Sequence, residues 1–462
     1  MADAPPGQAI PTIPAAAGDR VRVGVVLAAG RSERLRLLTR GRSKLLLRLG
    51  GLTLVERAVR SLLDAGLERV VVVVGHHAEA TAEAARQSAP GRVTVVEADR
   101  WEAGNGATLA AAEPAVAGEQ AFVLLCGDHV FAGDALENLT RAPAPAALVD
   151  PNPSGETWAE GTRVRLVGGR AVAFGKDLEE PTVDCGAFLL SPAVFPCHRA
   201  ASVEGDDTLA GAVTRLAGVE PVVVRPLPPD AWWQDVDTPH DLRTARRRLR
   251  RSLSRQTDGP VSRYLNRPVS TRLTMAVAPL RLSPDLLSFL SCLVGMLAAV
   301  CLAWERPLMG GILVHGSSVL AGVDGETARL HLRETPRGTR LGGLTNRMVD
   351  AAVVAGLGIW VLQHTFSSRS IILLLGGIAV AWAALATAGM GLTTILGLPA
   401  AVERRVGLSL GGRDGRLFLV TAWAVLGHPM VALAAFMVAW VVSVLVRLVL
   451  LRRSLELEAP TA

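Results

Sequence analysis

From Pro284 onward the chain is dominated by apolar runs long enough to cross a bilayer, and no other feature limits its fold so strongly. A hydrocarbon core about 30 Å thick needs a helix of ~20 mostly apolar residues. Six runs qualify as candidates: Leu286 to Trp304, Met309 to Val323, Val349 to Leu362, Ile371 to Leu392, Leu417 to Leu426 and Met430 to Leu450, the fifth being short. One such run in a soluble chain reads as a buried helix. Several in succession read as an all-α polytopic membrane domain, because helices satisfy their own backbone groups in lipid. The residues up to about Arg255 are rich in charge instead, so the mean hydropathy of +0.34 averages two unlike halves. With 462 residues there is room for a core in each.

The formal charge of +6 could indicate nucleic acid, but the densest basic run, Arg243 to Arg255, lies just before the first apolar segment. A juxtamembrane cluster of this kind usually faces the cytoplasm and anionic lipid. No nucleic-acid partner is therefore expected; an exposed basic helix without any partner is the plainer alternative. The five cysteines, Cys126, Cys185, Cys197, Cys292 and Cys301, show neither zinc nor disulfide spacing, which fits a reducing compartment. The expected division is a disordered Ala/Pro-rich leader (1–20), an α/β domain (21–250), a basic juxtamembrane linker with an amphipathic helix (251–283), a transmembrane domain (284–452) and a tail (453–462).

In the first half, Val21 to Leu27 is an apolar run ending in Ala-Ala-Gly, Leu52 to Ala65 has helical spacing, and Val70 to Val74 is purely β-branched. Further strands are expected at Val93 to Val96, Ala121 to Leu125, Arg163 to Leu166, Cys185 to Leu190 and Val222 to Val224. Strands alternating with helices predict a Rossmann-like α/β domain with a mostly parallel sheet, which binds ligands at the carboxyl ends of its strands.

Three motifs carry chemistry. Leu27-Ala28-Ala29-Gly30-Arg31-Ser32-Glu33-Arg34-Leu35 follows a strand and leads to Lys44. Small residues let backbone N–H groups approach a triphosphate, while Arg34 and Lys44 neutralise charge growing on a leaving pyrophosphate. In Leu124-Leu-Cys-Gly-Asp-His129 a strand runs into Asp128, where a carboxylate can hold Mg²⁺. Trp233-Gln-Asp-Val-Asp-Thr-Pro239 offers Asp235 and Asp237 to the same ion. Taken singly, each Asp reads equally as a turn or helix-cap residue.

Together these motifs resemble the sugar-phosphate nucleotidyltransferase family. Gly104-Asn105-Gly106, Gly175-Lys176-Asp177-Leu178 and Asp184-Cys185-Gly186 narrow the likeness. They resemble the bifunctional CTP:inositol-1-phosphate cytidylyltransferase/di-myo-inositol-phosphate-phosphate synthase proteins, over nearly the whole chain. The resemblance implies that Arg34 and Lys44 bind the triphosphate of CTP, with Leu27, Ala28, Ala29 and Gly30 in the loop and Gly104, Asn105 and Gly106 facing the base. It implies Mg²⁺ on Asp128 with Asp235 or Asp237, and a phosphorylated alcohol near Lys176 and Asp184. The last two also read as a solvated surface pair. Ser32 and Ser43 depart from the Gly and Pro common at those positions, but neither change removes a charge.

In the membrane half, Asp324-Gly325-Glu326-Thr327-Ala328-Arg329, then Gly338 after eight residues, resembles the CDP-alcohol phosphatidyltransferase signature. That family transfers a phosphoalcohol from a CDP-alcohol, using four carboxylates and two divalent ions. Here the other three acidic positions fall on Ala321, Gly342 and Asn346. Asp350 lies one helical turn beyond Asn346, and an Asp occurs there in the relatives too. Arg413 and Arg416 match a basic stretch that binds phosphate, or are ordinary loop charges. The transferase site is thus expected to be degenerate, with weak or no activity. The alternatives are a fully bifunctional enzyme and a membrane scaffold. The resemblance further implies a multi-pass protein of the cell membrane with its first domain cytoplasmic, in contact with membrane lipid and paired as a homodimer.

Overall fold

The computed structural model describes residues 21–31, 33–255, 257–364, 367–368, 371–373, 375–379 and 412–458. The chain divides into two compact units, Met1–Leu249 and Arg250–Ala462. The expected leader, Ser32 of the loop, most of the fourth apolar run and the end of the tail lie outside the described residues.

The strands of the first unit are β1 (Val23–Ala28), β2 (Arg48–Leu49), β3 (Leu52–Thr53), β4 (Arg69–Val74), β5 (Val93–Glu97), β6 (Phe122–Cys126), β7 (His129–Ala132), β8 (Ala146–Asp150), β9 (Arg163–Val167), β10 (Arg170–Gly175), β11 (Val183–Leu190), β12 (Val222–Pro226) and β13 (Trp232–Asp235). Nine of them form one sheet in the order β5-β4-β1-β6-β11-β8-β12-β10-β9. Parallel pairs join β5, β4, β1 and β6, where each strand returns through a helical crossover. The helix Leu54–Asp64, started by a capping box between Thr53 and Glu56, is one of these crossovers.

The mostly parallel sheet expected from the sequence holds for these four strands and recurs in the β8–β12 pair. β11 runs antiparallel to both β6 and β8, and β10 antiparallel to β9 and β12. β9, β10 and β11 follow one another without the crossover helices that parallel pairing needs, so the sheet is mixed. Alternate residues of β1, β4 and β6, such as Val23, Val25, Val71, Val73, Phe122 and Leu124, share one buried core with Leu109 of the Asn105–Ala110 helix and with Leu209, Val213 and Leu216 of the Leu209–Val219 helix. β7 and β13 form a separate antiparallel pair.

In the second unit four helices are long and apolar enough to cross a membrane by length and composition: Pro284–Ala303, Pro307–Leu330, Pro336–His364 and the Pro429–Val446 part of Pro429–Glu458. Six crossings are not seen among the described residues. The fifth run forms only the 13-residue helix Arg413–Val425, and the fourth is mostly outside the described residues. Along Pro284–Ala303 the exposed apolar residues Leu286, Phe289, Leu293, Leu297 and Val300 recur at helical spacing, whereas Leu287, Ala298 and Leu302 are buried. An outward stripe that apolar suits lipid rather than water. Inside, Leu302, Val314, Val353, Trp360, Leu417 and Phe436 share one core.

Candidate active site

The site of the first unit begins where β1 and β6 end side by side. Gly127 N–H donates to the Leu27 carbonyl at 2.9 Å, and a Cβ at Gly127 would stand 2.8 Å from that oxygen. Glycine therefore lets the two strand ends close and sets Asp128 beside the Ala29–Gly30 loop. Lys44 opens a short 3₁₀ turn whose N-cap is Ser43, with φ −60° and its hydroxyl accepting from Leu45 N–H. A proline would take the same φ, so Ser43 keeps the local course of the chain and adds a cap.

Lys44 is buried, with Nζ 2.6 Å from Asp128 Oδ2 and hydrogen-bonded to Asp237 Oδ1. Arg34, exposed on the turn Glu33–Leu35, places Nη2 2.7 Å from Asp237 Oδ2. The β7–β13 register sets Asp235 opposite His129, and Asp128, Asp235 and Asp237 offer oxygens within 4.8 Å of one another. The helix-cap alternative for these aspartates is answered by Thr238 and Asp241. Asp241 accepts from the N–H groups of Asp237 and Thr238 and from the Thr238 hydroxyl, which releases Asp235 and Asp237 from capping.

These groups set one another's charge. Burial would raise the Asp128 carboxyl, but Lys44 and His129 hold it at about 2. Burial pushes Asp235 up to about 6 against the pull of His129. Burial also works against the Lys44 ammonium, yet Asp128 and Asp237 outweigh it and raise its pKa. Burial pushes the nearby Cys126 thiol well above its usual range. Three carboxylates with an orphaned buried oxygen, Asp235 Oδ1, fit a hard divalent cation by donor chemistry.

Lys176 and Asp184 line the same open cleft as Asp235 and Asp237, together with Ser154, Thr157 and Trp233. Lys176 is exposed at the end of β10, and Asp184 accepts from Gly186 N–H at 2.8 Å. Gly104, Asn105 and Gly106 are not among the cleft-lining residues. Gly106 N–H donates to Asp207 O, and Asn105 Oδ1 accepts from Leu209 N–H. Arg31 of the β1 loop pairs with Glu102 and lies over the Trp101 ring at 5.3 Å, just before these residues in the chain.

One residue of the Gly-Asp-His motif had no role assigned from sequence. His129 donates from Nδ1 to the Cys185 carbonyl at 2.7 Å, and its ring stacks on Trp233. Burial would lower its pKa, but Asp235 and Asp128 raise it. The contact exists because β11 bulges at Gly186, where φ is +70° and a Cβ would lie 2.4 Å from His129 Nδ1. Gly186→Ala is therefore expected to destabilise the first unit by about 1–3 kcal/mol, read from the urea midpoint of the full chain. An unchanged midpoint would show that the bulge does not depend on glycine.

In the second unit Asp324 accepts from the Ser288 hydroxyl and from Gly325 N–H. A Cβ on Gly342 would stand 3.4 Å from Asp324 Oδ2, so the position where the signature has a carboxylate does face Asp324. Asp350 is buried and paired with Arg413 at 2.9 Å and Arg416 at 3.7 Å. Arg329 donates to the Leu253 carbonyl, the Ala328 carbonyl accepts from Arg333 N–H, and Gly338 N–H donates to Thr335. Asp350 is thus tied to two arginines, whereas Asp324 is bonded to Ser288 and Gly325. Sequence reading also passed over Glu326, fully buried and bonded to Arg267, Ser270 and Thr274; a Glu inside an apolar run was the available signal.

A mixed α/β sheet with a buried lysine and carboxylates at its strand ends defines a nucleotidyltransferase, and the comparisons agree. The MobA-like NTP transferase domain matches residues 24–259. A bifunctional IPC transferase and DIPP synthase of Rubrobacter xylanophilus is 36% identical, covering 89% of this chain and 92% of its own length. One from Aquifex aeolicus is 30% identical over 88% of this chain and 92% of its own length. The solved inositol-1-phosphate CTP transferase of T. maritima is 26% identical, covering 48% of this chain and 91% of that one with a TM-score of 0.44. The chain belongs to the family of bifunctional IPC transferases and DIPP synthases.

Proposed function

We propose that the first unit transfers the cytidylyl group of CTP to a phosphorylated alcohol, inositol 1-phosphate, giving a CDP-alcohol and pyrophosphate. The observation that carries this is Lys44 held between Asp128 and Asp237 where β1 and β6 end. An oxygen of the phosphomonoester forms a bond to the α-phosphorus, and the bond from that phosphorus to the bridging oxygen breaks, its electron pair leaving with pyrophosphate. Arg34 and Lys44 supply positive charge to the triphosphate; Leu27 and Ala28, expected in the loop, are the last residues of β1, so Ala29 and Gly30 are the ones that offer backbone N–H groups. By the sequence resemblance, Gly104 to Gly106 face the base. Lys176 and Asp184, in the open cleft, receive the phosphoalcohol. Mg²⁺ on Asp128, with Asp235 or Asp237, would polarise the α-phosphate and offset charge on the leaving group. The choice of inositol 1-phosphate rests on the sequence resemblance and the names of the relatives.

The second unit then acts as a membrane anchor, with a transferase site that is weak or inactive because it lacks three signature carboxylates. The basic run Arg243 to Arg255 favours a cytoplasmic first unit. A second reading, the full bifunctional enzyme, is favoured by the names of the relatives; it requires CMP release from CDP-inositol. The test of the first reading is a screen of the full chain, in detergent with Mg²⁺, against four nucleoside triphosphates and a set of phosphoalcohols. CTP with inositol 1-phosphate should release pyrophosphate fastest. Another pair ahead of it would reassign the substrates, and no release with any pair would remove the activity.

A further inference from the structure

We propose that His129 is a direct ligand of the divalent cation in the first unit, making the site a carboxylate–imidazole set of Asp128, His129 and Asp235. This rests on the reading above that the unit holds such a cation, and it names which atoms take it.

The carboxylate oxygens are already divided between partners. Asp237 has Oδ1 on Lys44 and Oδ2 on Arg34, so both its oxygens face cationic side chains. Asp128 has Oδ2 on Lys44. Asp128 Oδ1 and Asp235 Oδ1 remain, and each lies 3.8 Å from His129 Nε2. Asp235 Oδ1 is buried and has no hydrogen-bond partner. Two carboxylate oxygens thus face the imidazole nitrogen, and Asp128 and Asp235 themselves offer oxygens within 4.8 Å of each other.

The imidazole is prepared for that role. A carbonyl can only accept, so the Cys185 oxygen at 2.7 Å fixes the proton on Nδ1 and turns Nε2 toward the carboxylates. A ring N–H donated to a backbone carbonyl is the usual support behind a metal-ligating histidine, because it sets the tautomer and strengthens the ligand. The Gly186 bulge makes room for the ring, and Trp233 stacks on it at 5.4 Å between centroids. The two 3.8 Å spans are a little wider than the ~3–3.5 Å ligand-to-ligand edge around an ion with ~2.1 Å bonds. Ligation therefore requires the two carboxylates to move toward Nε2. An imidazole among carboxylates shifts preference from Mg²⁺, which takes oxygen ligands, toward ions such as Mn²⁺ or Co²⁺.

The test uses the full chain in detergent with Mn²⁺ alone as the probe, followed by pulsed electron paramagnetic resonance. Bound Mn²⁺ should show hyperfine coupling to a histidine nitrogen. His129→Asn should abolish the coupling and weaken Mn²⁺ binding at least about tenfold, the lower end of what loss of an outer-shell partner costs. His240→Asn, at the other histidine lining the cleft, should keep the coupling. If His129→Asn does not fold, wild-type chain grown on nitrogen-15 histidine serves instead, and the coupling should change to that of the heavier isotope. Bound Mn²⁺ without histidine coupling would overturn the proposal and leave the cation reading standing. Failure of the wild-type chain to bind Mn²⁺ would overturn both.

Discussion

Asp128→Ala is expected to lower the rate of pyrophosphate release by about 10²–10³-fold, the scale of removing one preorganised electrostatic group from a reaction centre. Asp128 stands at the end of β6, in contact with Lys44 on one side and facing His129 on the other. Its removal would leave the buried Lys44 with one carboxylate fewer, so the triphosphate would meet a displaced charge as well as a weaker cation site. Asp128→Asn keeps the size and should lose nearly as much activity, which separates charge from packing. Pyrophosphate release measured beside circular dichroism checks both variants. Activity near that of the wild type in a folded Asp128→Ala would remove Asp128 from the chemistry.

The second large effect concerns the membrane unit. Restoring the signature with Ala321→Asp, Gly342→Asp and Asn346→Asp together should raise CMP release from CDP-inositol by about 10²-fold over the wild-type chain, since it returns the charges that position two cations. Gly342 already faces Asp324, with only ordinary van der Waals contact awaiting a Cβ. Asp350 is held by Arg413 and Arg416. CMP release from the purified triple variant is the readout. No gain would show that the unit has lost more than its carboxylates and favour a scaffold.

The parts of this structure visible in the sequence are those built from local pattern. β1, β4 and β5 are apolar or β-branched runs, and each formed where the pattern placed it. The Gly-Asp and Asp-Val-Asp motifs announced carboxylates, but local spacing could not tell a ligand from a helix cap. The Thr238–Asp241 bonds show that these two residues, and not Asp235 or Asp237, cap the following helix. β7 and β13 are four-residue strands without regular alternation, so the pairing that sets Asp235 opposite His129 was not legible. The Gly186 bulge belongs to the same class. Its purpose depends on a histidine 56 residues away along the chain from the carbonyl it exposes. In the membrane unit helix composition was plain from sequence, whereas the number of crossings was not. Arg413–Val425 is apolar enough to suggest a span and too short to count as one.

The inequality of the two units is tested most directly by phosphorus NMR on the full chain in lipid nanodiscs supplied with CTP, inositol 1-phosphate and Mg²⁺. Pyrophosphate and the diphosphate signal of CDP-inositol should grow together, with CDP-inositol accumulating and the CMP signal absent. Consumption of CDP-inositol with growth of CMP would contradict a degenerate membrane site, and absence of pyrophosphate would contradict the cytidylyltransferase itself.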